Sequence, residues 1–415
     1  MSAALPASLS DARILAAYII FAASYLVFAL GKFPGLKIDR TGAAIIGAVG
    51  MVAFRIVRPG EALRYIDFAT VVLLFAMMLI VGNLHLVGFF EWNAEFILRR
   101  LKPAYLLPAL VFTCGVMSAF FVNDIVCLVM VPFVLNITRR MKMEPLPYLL
   151  AVPTASNIGS VATITGNPQN MLIGSFSAIH YRDFLVHLAP VAIAGLCLNW
   201  GVLHWIHLRK TGLPPEIPRQ IPLPTLDLSR LTKPVIVVTC VVAGFFLGVP
   251  PPMMAALGGA VLLITRTLDP RKVYEQVDWG LLVFFVGLFL IVGGAENAGI
   301  TARLLDLARH WNLQRLDIFT LVIAGLCNIV NNVPAVMLVK SLVPQFANPH
   351  TAWLALAMAS TLAGNLTLTG SVANLIVVET AKPEVAISYR DYLRVGVPIT
   401  LLTLAVGWAW LSWVG

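Results

Sequence analysis

The chain has 415 residues, of which 59% are apolar and only 12% charged, against about 25% charged in a soluble domain, so water is not its main solvent. The formal net charge of +9 does not point to nucleic acid, because Lys and Arg sit in short clusters between apolar runs and build no continuous basic face. Five cysteines, at 114, 127, 197, 240 and 327, all lie in apolar segments without metal-ligand spacing, which excludes a disulfide framework and a zinc site.

A helix needs about 20 apolar residues to cross roughly 30 Å of hydrocarbon. Runs of that kind predict spans at 14–30, 41–57, 68–88, 183–208, 234–249, 253–267, 279–299 and 391–414. The first run, Ile14 to Leu30, is followed by Gly-Lys-Phe-Pro and not by a small-residue cleavage site, so it reads as a membrane helix. Segments 103–138 and 316–344 each hold two apolar arms around a polar tip, Asn123-Asp124 and Asn331-Asn332, and read as re-entrant hairpins. Segments 146–174 and 352–380 are apolar at their ends but interrupted by Asn, Gly, Thr and Pro, and read as broken helices. Charged stretches at 89–102, with Glu91, Glu95, Arg99 and Arg100, and at 300–315 resemble interfacial helices. Arg209 to Lys233, with five prolines and seven charges, reads as a linker outside the hydrocarbon. The expected fold is an all-α polytopic membrane protein with about ten transmembrane helices, two hairpins and two broken helices.

The two sides of the linker repeat each other. Asn123 matches Asn331, Asn157 matches Asn365, and Tyr181-Arg182-Asp183 recurs as Tyr389-Arg390-Asp391, all at a spacing of 208; Asp67 matches Asp278 at 211. Residues 1–208 and 234–415 are therefore expected to be two repeats. Each makes an odd number of crossings, which inverts the second against the first. The loops at 31–40, 99–102, 139–142, 209–233, 266–272 and 382–394 carry 20 of the 29 Lys and Arg residues. By the positive-inside rule that side is cytoplasmic and both termini lie outside; a reporter fusion that placed the linker outside would sink this topology.

Backbone at membrane depth must be hydrogen-bonded or line a protein cavity. The breaks, Ser156-Asn157-Ile158-Gly159 with Thr163-Ile164-Thr165-Gly166-Asn167-Pro168-Gln169-Asn170, and Gly364-Asn365-Leu366-Thr367-Leu368-Thr369-Gly370-Ser371 with Asn374, are the candidate substrate site together with the tips Asn123, Asn331 and Asn332. Helix halves ending there aim partial positive charge at an anion and bare carbonyls at a cation. Asp124 is the only carboxylate at a tip and is the candidate coupling-ion residue, with Asn123 and Asn332 beside it. Glu296 and His85 occupy equivalent places near the ends of their spans and read as interfacial groups, Asp67 and Asp278 as helix N-caps. Lys340 either compensates charge in the site or snorkels outward. Cys127 and Cys327 flank the tips and read as packing residues, with thiophilic solute binding as the other reading.

NDIV in the first hairpin, SNIGSVATITGNPQN in the first break, then NNVPAVML and TLTGSVANLIV, resemble the ion-transporter superfamily over nearly the whole chain. That group includes citrate-type permeases, arsenite efflux permeases and the divalent-anion/sodium symporters; the arsenite-permease-like and bacterial anion-permease branches share the NN-x-PAV hairpin, the TxxGSxAxL break and the closing YRDY-like segment. The resemblance implies an elevator-type carrier in which Asn123, Asn157, Thr163, Thr165, Asn332, Asn365, Thr367 and Thr369 bind solute and coupling ion. Sodium-dicarboxylate members carry Ser-Asn-Thr at both tips, whereas this chain reads Val122-Asn123-Asp124 and Asn331-Asn332-Val333. Hydroxyl ligands are lost and a carboxylate gained, which makes protons a rival to sodium.

The expected function is secondary active transport of a small anion or oxyacid, carboxylate- or arsenite-like, across a bacterial inner membrane, coupled to sodium or protons. A sodium/proton antiporter of the same fold is the alternative. A channel would need a ring of charges that the sequence does not offer, and an enzyme would need HExxH, GxSxG or paired carboxylates in the breaks. No cofactor is expected, sodium entering only as one of the two candidate coupling ions; lipid and the solute are the partners, and the oligomeric state, homodimer included, is left open.

Overall fold

In the computed structural model the described residues are 9–31, 37–90, 92–93, 96, 103–208, 228–264 and 268–415. Apart from short helical turns, the first half runs α1 (Asp11–Leu30), α2 (Arg40–Ala53), α3 (Phe68–Leu86), α4 (Leu106–Phe120), α5 (Asn123–Arg140), α6 (Leu146–Ser160), α7 (Pro168–Ser177) and α8 (Tyr181–Leu203). The second half runs α9 (Leu228–Phe246), α10 (Pro251–Ile264), α11 (Trp279–Asn297), α12 (Ile300–His310), α13 (Leu316–Val330), α14 (Asn332–Val339), α15 (Pro349–Leu362), α16 (Val372–Ala381) and α17 (Tyr389–Val414). Among the described residues five helices are long and apolar enough to cross a bilayer unaided: α1, α3, α8 with its π-helical extension to His207, α11 and α17.

Several boundaries differ from the sequence expectation, each for a local reason. The span expected at 41–57 is a helix of 14 residues, about 21 Å long, which is short of roughly 30 Å of hydrocarbon; in that expected at 253–267, α10 runs Pro251–Ile264 and residues 265–267 lie outside the described residues. Residues 228–233, expected in the linker, begin α9, while 209–227 lie outside the described residues. The second arm of hairpin 316–344 is only eight residues long. Pro344 lies four residues after Lys340 and has no N–H to give the Lys340 carbonyl, so the helix closes before it. Most of the 89–102 stretch, with Glu91, Glu95, Arg99 and Arg100, lies outside the described residues; the 300–315 stretch forms α12.

Asp67 and Asp278 cap α3 and α11, accepting from Ala69 N–H at 3.2 Å and Leu281 N–H at 2.9 Å. The halves exchange partners: α2 lies on α11, and α10 on α3. A Cβ on Gly287 would collide with the Ala44 backbone, which is how closely the first of these pairs packs. The hairpins and broken helices form a second body in which α4 lies on α6, α5 on α16, α13 on α15 and α8 on α17. The α4/α6 crossing leaves no room for a Cβ on Gly159 against the Gly115 carbonyl.

Candidate functional site

Each break is closed by one asparagine. Asn170 Nδ2 donates to the carbonyls of Ser160 and Thr163, both at 3.0 Å, ten and seven residues earlier. Asn374 Nδ2 donates to Gly364 and Thr367 at 2.7 and 3.0 Å, again ten and seven residues earlier. These carbonyls have lost their helical partners, and a buried amide side chain supplies the donors in place of water. The equivalence sets Thr163-Ile164-Thr165-Gly166 against Thr367-Leu368-Thr369-Gly370 at a spacing of 204, not 208. The geometric counterpart of Asn157 is therefore Thr361, not Asn365. At the tips, Asn123 and Asn332, not Asn331, each open the second arm.

The same symmetry crosses between halves. Asn157 Nδ2 donates to Asn374 Oδ1 at 3.1 Å, and its Oδ1 accepts from Ser371 Oγ at 3.1 Å. Reciprocally, Thr361 Oγ1 donates to Asn170 Oδ1 at 3.3 Å and accepts from Asn167 Nδ2 at 3.2 Å. Asn157 has two further bonds, donating to Asn365 Oδ1 at 2.8 Å and accepting from Asn123 Nδ2 at 3.0 Å. It thus joins the first tip to both parts of the second break. Thr163 donates to the Ala119 carbonyl, and Thr165 bonds Tyr181 Oη at 2.9 Å. Thr367 donates to Asn328 Oδ1 at 2.9 Å. Thr369 is exposed.

Between the tips lies a cavity of about 370 Å³. Of the sequence candidates, Asn123, Asp124, Asn331, Asn332 and Ser371 line it; Asn157, Thr163, Thr165, Asn167, Asn170, Asn365, Thr367, Thr369 and Asn374 do not. Pro168 and Gln169 of the first break also line it, and residues that sequence reasoning left out of the site join them: Asp39, Arg40 and Thr41 from the start of α2, and Asp278 from the cap of α11. The lining consists largely of helix beginnings, those of α2, α5, α7, α11, α14 and α16. Side chains cap four of these, Asp39, Asn167, Asp278 and Asn331, whereas α5 and α16 have no side-chain cap. Partial positive charge therefore converges on the cavity from several directions.

Two lining oxygens have no hydrogen-bond partner among the described residues, Asn123 Oδ1 and Asn332 Oδ1, although these side chains are only 4% and 6% exposed. A buried acceptor without a partner is costly unless something fills it. Asn331 adds strain: at φ +76°, ψ 162° it holds a backbone conformation suited to glycine, with its Oδ1 accepting from the Asn332 N–H at 2.6 Å. Asp124, half-buried, has neither hydrogen bond nor ion pair among the described residues.

The groups that sequence reasoning left open lie elsewhere. Lys340 pairs with Glu296 at 3.4 Å and sits 4.7 Å from the Phe176 ring, joining the second hairpin to α11. His85 Nδ1 meets Gln276 Oε1 at 3.0 Å. Cys127 and Cys327 are buried and do not line the cavity.

Comparison with known proteins agrees with this architecture. A transporter named LSI3, described as a silicon efflux transporter of Oryza sativa subsp. japonica, is 26% identical, covering 95% of this chain and 97% of its own. A Dictyostelium discoideum protein carrying the transporter name arsB is 26% identical over 90% of this chain and 87% of its own. An uncharacterized transporter of Mycobacterium tuberculosis is 28% identical over 96% and 98%. Among solved structures, the YdaH transporter of Alcanivorax borkumensis aligns with a TM-score of 0.58 at 15% identity, covering 97% of this chain and 98% of that one, a likeness of fold. The chain is a multi-pass membrane transporter and not an enzyme. Residues 25–363 match the family model CitMHS, citrate transporter, and on that match this chain belongs to the citrate transporter family.

Proposed function

We propose that the chain is a secondary active carrier of a small anion or oxyacid, working by an elevator-type movement and coupled to sodium or protons, in an inner membrane with both termini outside. The observation that carries this reading is the cavity between the two tips, where helix N-termini from both halves meet two unpaired asparagine oxygens. Helix beginnings and Arg40 suit an anion; Asn123, Asn332 and Asp124 suit a cation beside it. The α2/α11 and α3/α10 pairs serve as scaffold and the hairpin-and-break body as the moving part.

Counterflow in proteoliposomes with succinate, citrate, sulfate and arsenite is the test, because only a carrier accelerates exchange when solute is present on both sides. Lys340 and Glu296 join the two bodies in this state. Replacing both by Cys, with the exposed Cys197 and Cys240 changed to Ser, and linking them with a short bifunctional thiol reagent should stop counterflow reversibly. Unchanged exchange after complete linking would overturn the elevator, and no acceleration with any solute would overturn the carrier.

A second reading has its own support. Among the described residues the lining holds one guanidinium and three carboxylates, Asp39, Asp124 and Asp278, a net negative charge that favours a cation as sole cargo, as in a sodium/proton antiporter. Sodium-driven pH changes in vesicles free of organic anion would favour it.

A further inference from the structure

Among the described residues the cavity contains one cationic side chain, and it comes from outside the hairpins and breaks. Arg40 is the first residue of α2, half-buried, and its guanidinium Nε donates to the Phe28 carbonyl at 3.2 Å. Three carboxylates line the same cavity, and Asp39 is its neighbour in sequence, yet none lies within 4 Å of Arg40 among the described residues. A structural arginine in a partly dry site ordinarily pairs with a carboxylate. Here Asp39 and Asp278 are engaged in capping α2 and α11, and a backbone carbonyl anchors the guanidinium through Nε alone. Its terminal N–H groups keep the fork that binds a carboxylate or oxyanion through two parallel bonds.

Arg40 is also not a feature of both halves. At the spacing of 211 that relates Asp67 to Asp278, its counterpart is Pro251, in the uncharged run Pro250-Pro251-Pro252 that opens α10. The matching scaffold position in the second half therefore offers an anion no charge. A guanidinium retained in only one half is better explained by a ligand met at one end of the cycle than by helix packing common to both.

We propose that Arg40 is the counter-charge for the carried solute, so that the transported species is an anion, a carboxylate or oxyanion, and not a neutral oxyacid. This rests on the carrier reading above and narrows its substrate class. Because the lining is net negative without solute, the anion needs accompanying cations, which ties the substrate charge to the coupling ion. Arg40 acts from the scaffold, so its contact exists only while the tips stand against α2.

The test compares wild type, Arg40→Gln and Arg40→Lys in proteoliposomes with citrate, succinate, sulfate and arsenous acid, the last uncharged at neutral pH. Arg40→Gln should raise KM for the carried anion about tenfold or more, the loss expected for one charge-assisted contact, with Vmax within about twofold. The increase should appear when solute is presented from one vesicle face and not the other, and arsenous acid should be unaffected. Arg40→Lys keeps the charge but loses the fork, and should give an intermediate, anion-selective increase even if Arg40→Gln fails to fold. An unchanged anion KM in Arg40→Lys and Arg40→Gln overturns the proposal, as does an equal loss for arsenous acid. A wild type that exchanges arsenous acid but no anion also overturns it and leaves the carrier reading standing.

Discussion

Asn157→Ala should remove nearly all transport and also lower the thermal stability of the purified protein. Asn157 makes four side-chain hydrogen bonds, to Asn123, Ser371, Asn365 and Asn374, at 2.8 to 3.1 Å, and is buried. Alanine leaves all four partners short of a bond, and of these Asn365 and Asn374 are fully buried away from the cavity. Each buried group left unpaired costs about 1–3 kcal/mol, and since neighbouring losses do not add, the total should fall at roughly 2–5 kcal/mol. Asn365→Ala removes fewer bonds, one from Asn157 and one to the Thr154 carbonyl, and should lose transport with a smaller drop in stability. Asn157→Asp keeps an acceptor oxygen but sets its other oxygen against Asn365 Oδ1 and Asn374 Oδ1 and buries a charge, so it should lose at least as much stability as Asn157→Ala. Uptake assays beside thermal unfolding in detergent decide the matter. An Asn157→Ala protein with normal uptake and normal melting would show that the tips and breaks are not joined through this residue.

The hairpins, breaks and tips were legible because each breaks a membrane rule that residue types betray: polar tips inside apolar runs, and Gly, Thr and Asn at hydrocarbon depth. The TITG and TLTG stretches place the two breaks correctly in sequence. Their exact pairing was not legible, because matching Asn157 to Asn365 by identity outweighed the role that Asn170 and Asn374 share in closing the break carbonyls. Arg40 and Asp278 escaped for a different reason. They open ordinary spans, where a charge reads as a boundary residue, and only the three-dimensional meeting of α2 and α11 with the tips makes them part of a cavity. Most break asparagines and threonines proved to bond to the backbone and to one another, because sequence shows that a polar group is present and not which lone pairs its neighbours already fill.

Asp124→Asn should uncouple transport from its driving ion while keeping exchange. Asp124 stands in the first turn of α5, lines the cavity with Asp39 and Asp278, and has no hydrogen bond or ion pair among the described residues. A carboxylate in such a place needs a cation, a proton, or the helix N-terminus to stabilise it. Asparagine copies the shape and polarity of the protonated acid and removes one negative charge from the lining. If protons are the coupling ion, the variant should exchange solute across the membrane at near wild-type rate but lose dependence on a pH gradient. If sodium is, sodium jumps at fixed pH should no longer stimulate it. One charge moving through 100 mV supplies about 2.3 kcal/mol, so losing one coupled cation should cut steady-state accumulation by roughly fifty-fold. Exchange surviving while accumulation collapses is the signature, since damage to the fold would remove both. If accumulation in Asp124→Asn follows both gradients as in wild type, Asp124 is a lining residue without a coupling role, and Asp278 becomes the carboxylate to replace next.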